Sequence, residues 1–168
     1  MQPSLIFLVG FMGAGKTTVG QALAATLGRQ FADLDVLIER REAQSIREIF
    51  AARGEPEFRR IEREAIAACR EMSDAVIALG GGAYIAEANR DLLREIGVTV
   101  WLDCPLDVCL RRVSGDVARP LLRSAEEMQR LFAERRPAYA MADLTIETGD
   151  RPPEELAAEI LNLLRVNR

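Results

Sequence analysis

Short apolar runs alternate along the chain with longer stretches in which apolar residues return every three or four positions. The runs at 5–9, 31–34, 75–79, 98–102 and 144–146 predict strands, and the stretches between them predict crossover helices, which together mean a parallel sheet. Phe58, Ile61, Ala65, Ala68 and Met72 step by three and four, as do Leu156, Ile160, Leu163 and Leu164; each set makes one apolar stripe facing a core. The pattern predicts a three-layer α/β/α sandwich. Two segments interrupt it. Residues 113–122 form a polar loop with Gly115, Asp116, Arg119 and Pro120. Residues 35–72 are too many for one crossover helix and predict a small helical subdomain. Ligands of open α/β sheets bind beyond the carboxyl ends of the strands, which puts both insertions over the site.

At 168 residues the chain is read as one domain, 1–168. The longest early apolar run, Leu5–Val9, is too short to span a bilayer, and no basic segment precedes it as in a signal peptide, so the expected compartment is the cytosol. Cys69, Cys104 and Cys109 have no metal-ligand spacing and fit free thiols in a reducing compartment. A net charge of −4 argues against general nucleic-acid binding, which needs a basic face. No membrane partner is expected, and the protein is read as a monomer. Histidine is absent, so a general base at neutral pH must be a carboxylate, a tuned lysine, a cysteine or a tyrosine. Lys16 is the only lysine; every other basic side chain is arginine.

Lys16 lies in Gly10-Phe11-Met12-Gly13-Ala14-Gly15-Lys16-Thr17, directly after the first strand, a full match to G-x-x-x-x-G-K-[ST]. Glycines let several backbone N–H groups turn toward one anion, and the helix predicted to begin near Lys16 adds its positive end. The motif assigns Gly13, Ala14, Gly15, Lys16, Thr17 and Thr18 to ATP, with Lys16 on the β- and γ-phosphates and Thr17 on Mg²⁺. A signalling GTPase is excluded, because an Asn-Lys-x-Asp motif needs a second lysine and no glycine has an aspartate three residues before it. Asp103, at the end of the fourth apolar run, fits either the acidic strand end of a motor ATPase or, with Pro105 behind it, a helix N-cap.

The second run ends in Asp33-Leu34-Asp35, and strand alternation would point both carboxylates to one side, near the phosphates. Such a pair can divide the work: one holds a metal ion through water, the other accepts a hydroxyl proton. Alone, the pair is equally a solvated turn. Farther on come Phe50-Ala51-Ala52-Arg53-Gly54-Glu55 leading into Phe58-Arg59, then Gly80-Gly81-Gly82, Arg119-Pro120-Leu121-Leu122 and Arg135-Arg136-Pro137-Ala138-Tyr139. In this order behind a P-loop, the set resembles shikimate kinase over residues 5–153.

The resemblance implies the five-stranded parallel sheet of the nucleoside-monophosphate-kinase group, in order 2-3-1-4-5, with a substrate-binding insertion at about 35–72 and a lid at about 113–123. It implies ATP-dependent phosphorylation of the 3-hydroxyl of shikimate, with Asp35, Lys16 and Arg119 as the catalytic residues. By position, Asp35 is the base and binds the substrate hydroxyls, Asp33 holds Mg²⁺ through water beside Thr17, and Arg59 and Arg135 clamp the shikimate carboxylate. Gly80, Gly81 and Gly82 meet the ring, Gly81 through its N–H. Arg119 reaches the ATP phosphates with the lid, and Arg112 and Pro153 flank the adenine. The forked guanidinium suits a carboxylate, and consecutive glycines suit a close backbone approach. Two departures stand out: Glu147 replaces the family's usual aspartate after the last strand, and Asp150-Arg151-Pro152-Pro153 fits the adenine segment loosely. Arg135 matches the Arg-x-Pro-x-Tyr spacing, and Arg136 matches it only after a one-residue slip. The competing readings are a kinase for another small hydroxy acid, such as gluconate, and a nucleotide sensor without catalysis.

Overall fold

β1 (Leu5–Val9) is buried at all five residues, as a strand in the middle of a sheet covered on both faces must be. The computed structural model describes residues 3–114 and 124–166. Its other strands are β2 (Gln30–Asp33), β3 (Ala75–Ala78), β4 (Val98–Asp103) and β5 (Leu144–Glu147). All pairings are parallel and the order is β2-β3-β1-β4-β5, as expected. β5, at one edge, alternates buried and exposed residues, while central β3 is buried throughout. The helices are α1 (Lys16–Leu27), α2 (Leu34–Glu42), α3 (Ile46–Ala68), α4 (Glu87–Ile96), α5 (Leu106–Ser114), α6 (Ala125–Tyr139) and α7 (Pro153–Val166). α1 packs on α7 and over β2 and β3, while α3 packs on α2 and α4. β1 has β3 on one side and β4 on the other, so the crevice beyond its carboxyl end lies where the strand order reverses.

The predicted strands correspond to observed ones within a residue or two. Leu34 is a correction. The Asp33 carboxylate accepts hydrogen bonds from the Asp35 N–H at 2.9 Å and the Val36 N–H at 3.4 Å, capping α2, so Leu34 opens a helix instead of ending a strand. Asp35 therefore sits in the first turn of α2, and strand alternation is not what brings the two aspartates to one place.

The segment 35–72 is helical. Ser45 and Glu48 close a capping box at the start of α3, and Gly54 breaks the helix at φ 79°, ψ 170°, two residues before Pro56. The Phe50 and Phe58 rings pack across the break with centroids 4.4 Å apart. Beyond it Phe58, Ile61 and Ala65 are buried as expected, but Ala68 is exposed, and Ile66 and Cys69 are buried instead. From Ala65 a step of four keeps the helical phase better than a step of three, and a 3₁₀ turn begins at Cys69.

Asp103 is the second correction. It is the last residue of β4, α5 starts three positions later, and its carboxylate pairs with Arg136 Nη2 at 2.8 Å instead of capping the helix. Cys69, Cys104 and Cys109 are all buried and free. Among the described residues, no helix is long and apolar enough to cross a membrane.

Candidate active site

The loop from Gly10 to Gly15 turns through three glycines at positive φ, Gly10 at 148°, Gly13 at 77° and Gly15 at 92°. At Gly13 the requirement is steric as well: a Cβ there would stand 2.7 Å from the Cys109 carbonyl oxygen of α5. Gly15 caps α1 with no side-chain acceptor, so the N–H groups of the first turn face the crevice. Lys16 Nζ donates to the carbonyls of Gly10 at 2.8 Å and Phe11 at 3.0 Å, which holds the ammonium over the loop. Thr17 and Thr18 follow on the exposed first turn, and Thr17 Oγ1 is 3.5 Å from Asp33 Oδ2.

Beyond β3, each of the three glycines stands against one predicted substrate residue. A Cβ on Gly80 would be 3.0 Å from Asp35 Oδ1, one on Gly81 3.2 Å from Arg135 Nη1, and one on Gly82 2.5 Å from Arg59 Nη2. The loop, α2, α3 and α6 thus bring one carboxylate and two guanidiniums onto a backbone stripped of side chains. Arg136, the neighbour of Arg135, turns elsewhere: its guanidinium lies 5.2 Å from the Trp101 ring centroid and 6.0 Å from that of Phe132, besides pairing with Asp103. The arginine that stands at the glycines is therefore the one in the Arg-x-Pro-x-Tyr spacing.

Sequence reasoning missed Glu62. It is 1 % exposed and receives Arg59 Nη1 through both oxygens, at 2.8 and 3.1 Å, fixing the guanidinium under Gly82. Burial raises its pKa above the ordinary carboxylate value; the Arg59 charge and hydrogen bond oppose that shift, and Asp35 adds to it. Its signal in the sequence is an acid within the stripe of Phe58, Ile61 and Ala65, three residues after an arginine.

Arg112 donates from Nη1 to the Gly13 carbonyl at 3.1 Å and from Nη2 to the Gly149 carbonyl at 2.9 Å, tying the phosphate loop to the segment after β5. Pro153 is the half-buried first residue of α7, four residues farther on. Arg119 and most of the predicted lid lie outside the described residues.

This architecture has close counterparts. The family model described as shikimate kinase matches residues 12–165. The shikimate kinase of Geobacter sulfurreducens is 48% identical over 163 residues, covering 95% of this chain and 90% of that protein. A shikimate kinase from Acinetobacter baumannii, solved in complex with shikimate, superposes with a TM-score of 0.90 at 40% identity, covering 99% of this chain and 95% of that one. A gluconokinase from Sinorhizobium meliloti reaches a TM-score of 0.66 at 20% identity, a likeness of fold alone. With a family model spanning nearly the whole chain and relatives this similar, the protein belongs to the shikimate kinase family.

Proposed function

We propose that the protein transfers the γ-phosphoryl group of ATP to the 3-hydroxyl of shikimate, giving shikimate 3-phosphate and ADP on the route to chorismate and the aromatic amino acids. The observation that carries this reading is the pairing of Gly80, Gly81 and Gly82 with Asp35, Arg135 and Arg59. It offers a flat cyclic hydroxy acid one carboxylate for its hydroxyls and two forked cations for its carboxylate. Gluconate kinases share the scaffold, but the one compared above does so only at the level of fold.

Asp35 accepts the proton of the attacking hydroxyl. Lys16 and the α1 N-terminus hold the transferring phosphate, with Arg119 joining from the lid. Among the described residues no cluster of three or more acids or thiols could cage a metal ion. That suits Mg²⁺, which draws most ligands from phosphate and water. Thr17 and Asp33, side by side at the loop, are the residues that would hold it, and it would supply charge neutralisation at the phosphates. Gly13, Ala14, Gly15 and Thr18 complete the phosphate cradle, and Arg112 and Pro153 flank the adenine. The protein acts as a cytosolic monomer.

The test is ADP release measured with shikimate, quinate and gluconate in parallel. Turnover with shikimate is expected to exceed both others by orders of magnitude. Turnover with gluconate but not shikimate overturns the reading.

A further inference from the structure

Three carbonyls line the turn after β3, and they are held differently. The Gly80 carbonyl accepts from the Ala83 N–H at 3.0 Å and the Gly82 carbonyl from the Ile85 N–H at 3.2 Å, both within the turn. The middle one is reached from another element: Tyr139, the last residue of α6, donates its hydroxyl to the Gly81 carbonyl at 2.5 Å. The Tyr139 ring is 2 % exposed and packs beside Trp101, with centroids 6.2 Å apart. Its phenol is pushed up to about 12, first by burial, so it remains a donor across the physiological range. Tyr139 is also four residues after Arg135, on the same face of α6. The two side chains meet Gly81 together, the guanidinium at the missing Cβ and the hydroxyl at the carbonyl.

In a trans peptide the C=O and N–H point in opposite directions, so the bond to the Gly81 carbonyl fixes where the Gly82 N–H points. We infer that Tyr139 is a positioning residue for the substrate subsite: it locks the Gly81–Gly82 peptide and spaces that backbone from Arg135, setting the gap into which the substrate carboxylate fits. The inference rests on the assignment of Arg135 to that carboxylate.

Tyr84 supplies the control. It is the other tyrosine, equally buried, and its hydroxyl contacts Thr99 Oγ1 at 3.3 Å and the Met141 carbonyl at 3.2 Å, away from the glycines. Tyr139→Phe removes one oxygen and leaves the Gly81 carbonyl without its donor. The expected result is a rise in KM for shikimate of roughly five- to thirtyfold, the cost of one unsatisfied buried group, with KM for ATP unchanged and kcat nearly so. In an Arg135→Ala background the same change should add little, because both act on one gap. Tyr84→Phe should lower Tm without moving the shikimate KM. A Tyr139→Phe enzyme with the parental shikimate KM overturns the inference, as does a Tyr84→Phe enzyme with an equal shikimate defect.

A readout that needs no variant at position 139 comes from 3-fluorotyrosine, which gives one ¹⁹F line per tyrosine, assigned with Tyr84→Phe. Shikimate should move the Tyr139 line and leave that of Tyr84; an unmoved Tyr139 line overturns the inference. If Arg135→Ala impairs shikimate use while Tyr139 shows neither effect, only this inference fails. If the parent does not phosphorylate shikimate, the functional reading fails with it.

Discussion

Gly82 gives up the place of its missing side chain to Arg59: a Cβ there would lie 2.5 Å from Nη2 and 2.8 Å from Nη1. Arg59 cannot swing away freely, because Glu62 grips the same guanidinium through two oxygens. Gly82→Ala should therefore fold, since the clash falls on the end of a long side chain, but it must push Arg59 out of line. The expected loss is roughly ten- to a hundredfold in KM for shikimate, the worth of a hydrogen bond to a charged group, with nucleotide KM unchanged. Steady-state kinetics with each substrate varied in turn check this; an unaltered shikimate KM would place the carboxylate elsewhere.

Arg135 and Arg136 are adjacent in sequence and separate in surroundings, one at Gly81 and the other on Trp101 and Asp103. Arg135→Ala should weaken shikimate binding and spare ATP, and Arg135→Lys should recover only part, because a point charge lacks the fork. Arg136→Ala removes the Asp103 pair and the stack on Trp101, so it should lower Tm and leave shikimate KM near the parental value. Equal shikimate losses at the two positions, measured by isothermal titration, would contradict this division.

The fold was legible because a buried parallel sheet writes itself as apolar runs, and the phosphate loop because its glycines and lysine are constrained one by one. Asp33 and Asp35 do stand beside the phosphate loop and the glycine turn, but strand alternation is not the reason. Period-two alternation cannot reveal that Asp33 also caps the next helix, which is a matter of where its carboxylate finds donors. Asp103 shows the reverse error. Its local sequence satisfies a cap, yet a guanidinium 33 residues away takes the carboxylate. Glu62 is not marked out in the sequence, and Tyr139 is marked only as the end of a motif, because each acts on a partner, Arg59 or Gly81, and a partner is settled only by tertiary packing.

Glu62 gives a pH dependence with a definite sign. Facing Arg59, Asp35 and Arg135, and with burial the largest influence, its folded pKa lies above the ordinary carboxylate value. Folding thus takes up protons at this group, and the stability it contributes is full below its unfolded pKa and lost as pH rises through the folded one. Glu62→Gln cannot titrate. The unfolding free energy of the variant minus that of the parent should increase between about pH 4 and about pH 7, as measured by urea titrations. A difference that shrinks over that range would mean the Arg59 pair outweighs burial.

Asp35 and Asp33 expose the mechanism most directly. Asp35 lies against Gly80, whereas Asp33 spends one oxygen on the α2 N-terminus and turns the other toward Thr17. Asp35→Asn keeps the shape and removes the proton acceptor. It should still bind Mg-ATP, bind shikimate more weakly, and lose roughly 10² to 10⁴ in the rate of transfer, the span of general base catalysis. Asp33→Asn keeps a good capping residue, so α2 should start where it does now. Its deficit should come from weakened metal binding and be partly restored by added Mg²⁺, as befits a ligand acting through water. Single-turnover phosphoryl transfer at saturating shikimate, followed over a range of Mg²⁺, separates the two. An Asp33→Asn enzyme dead at every Mg²⁺ concentration beside an Asp35→Asn enzyme at near-parental rate would reverse the assignment, making the helix-capping aspartate the base.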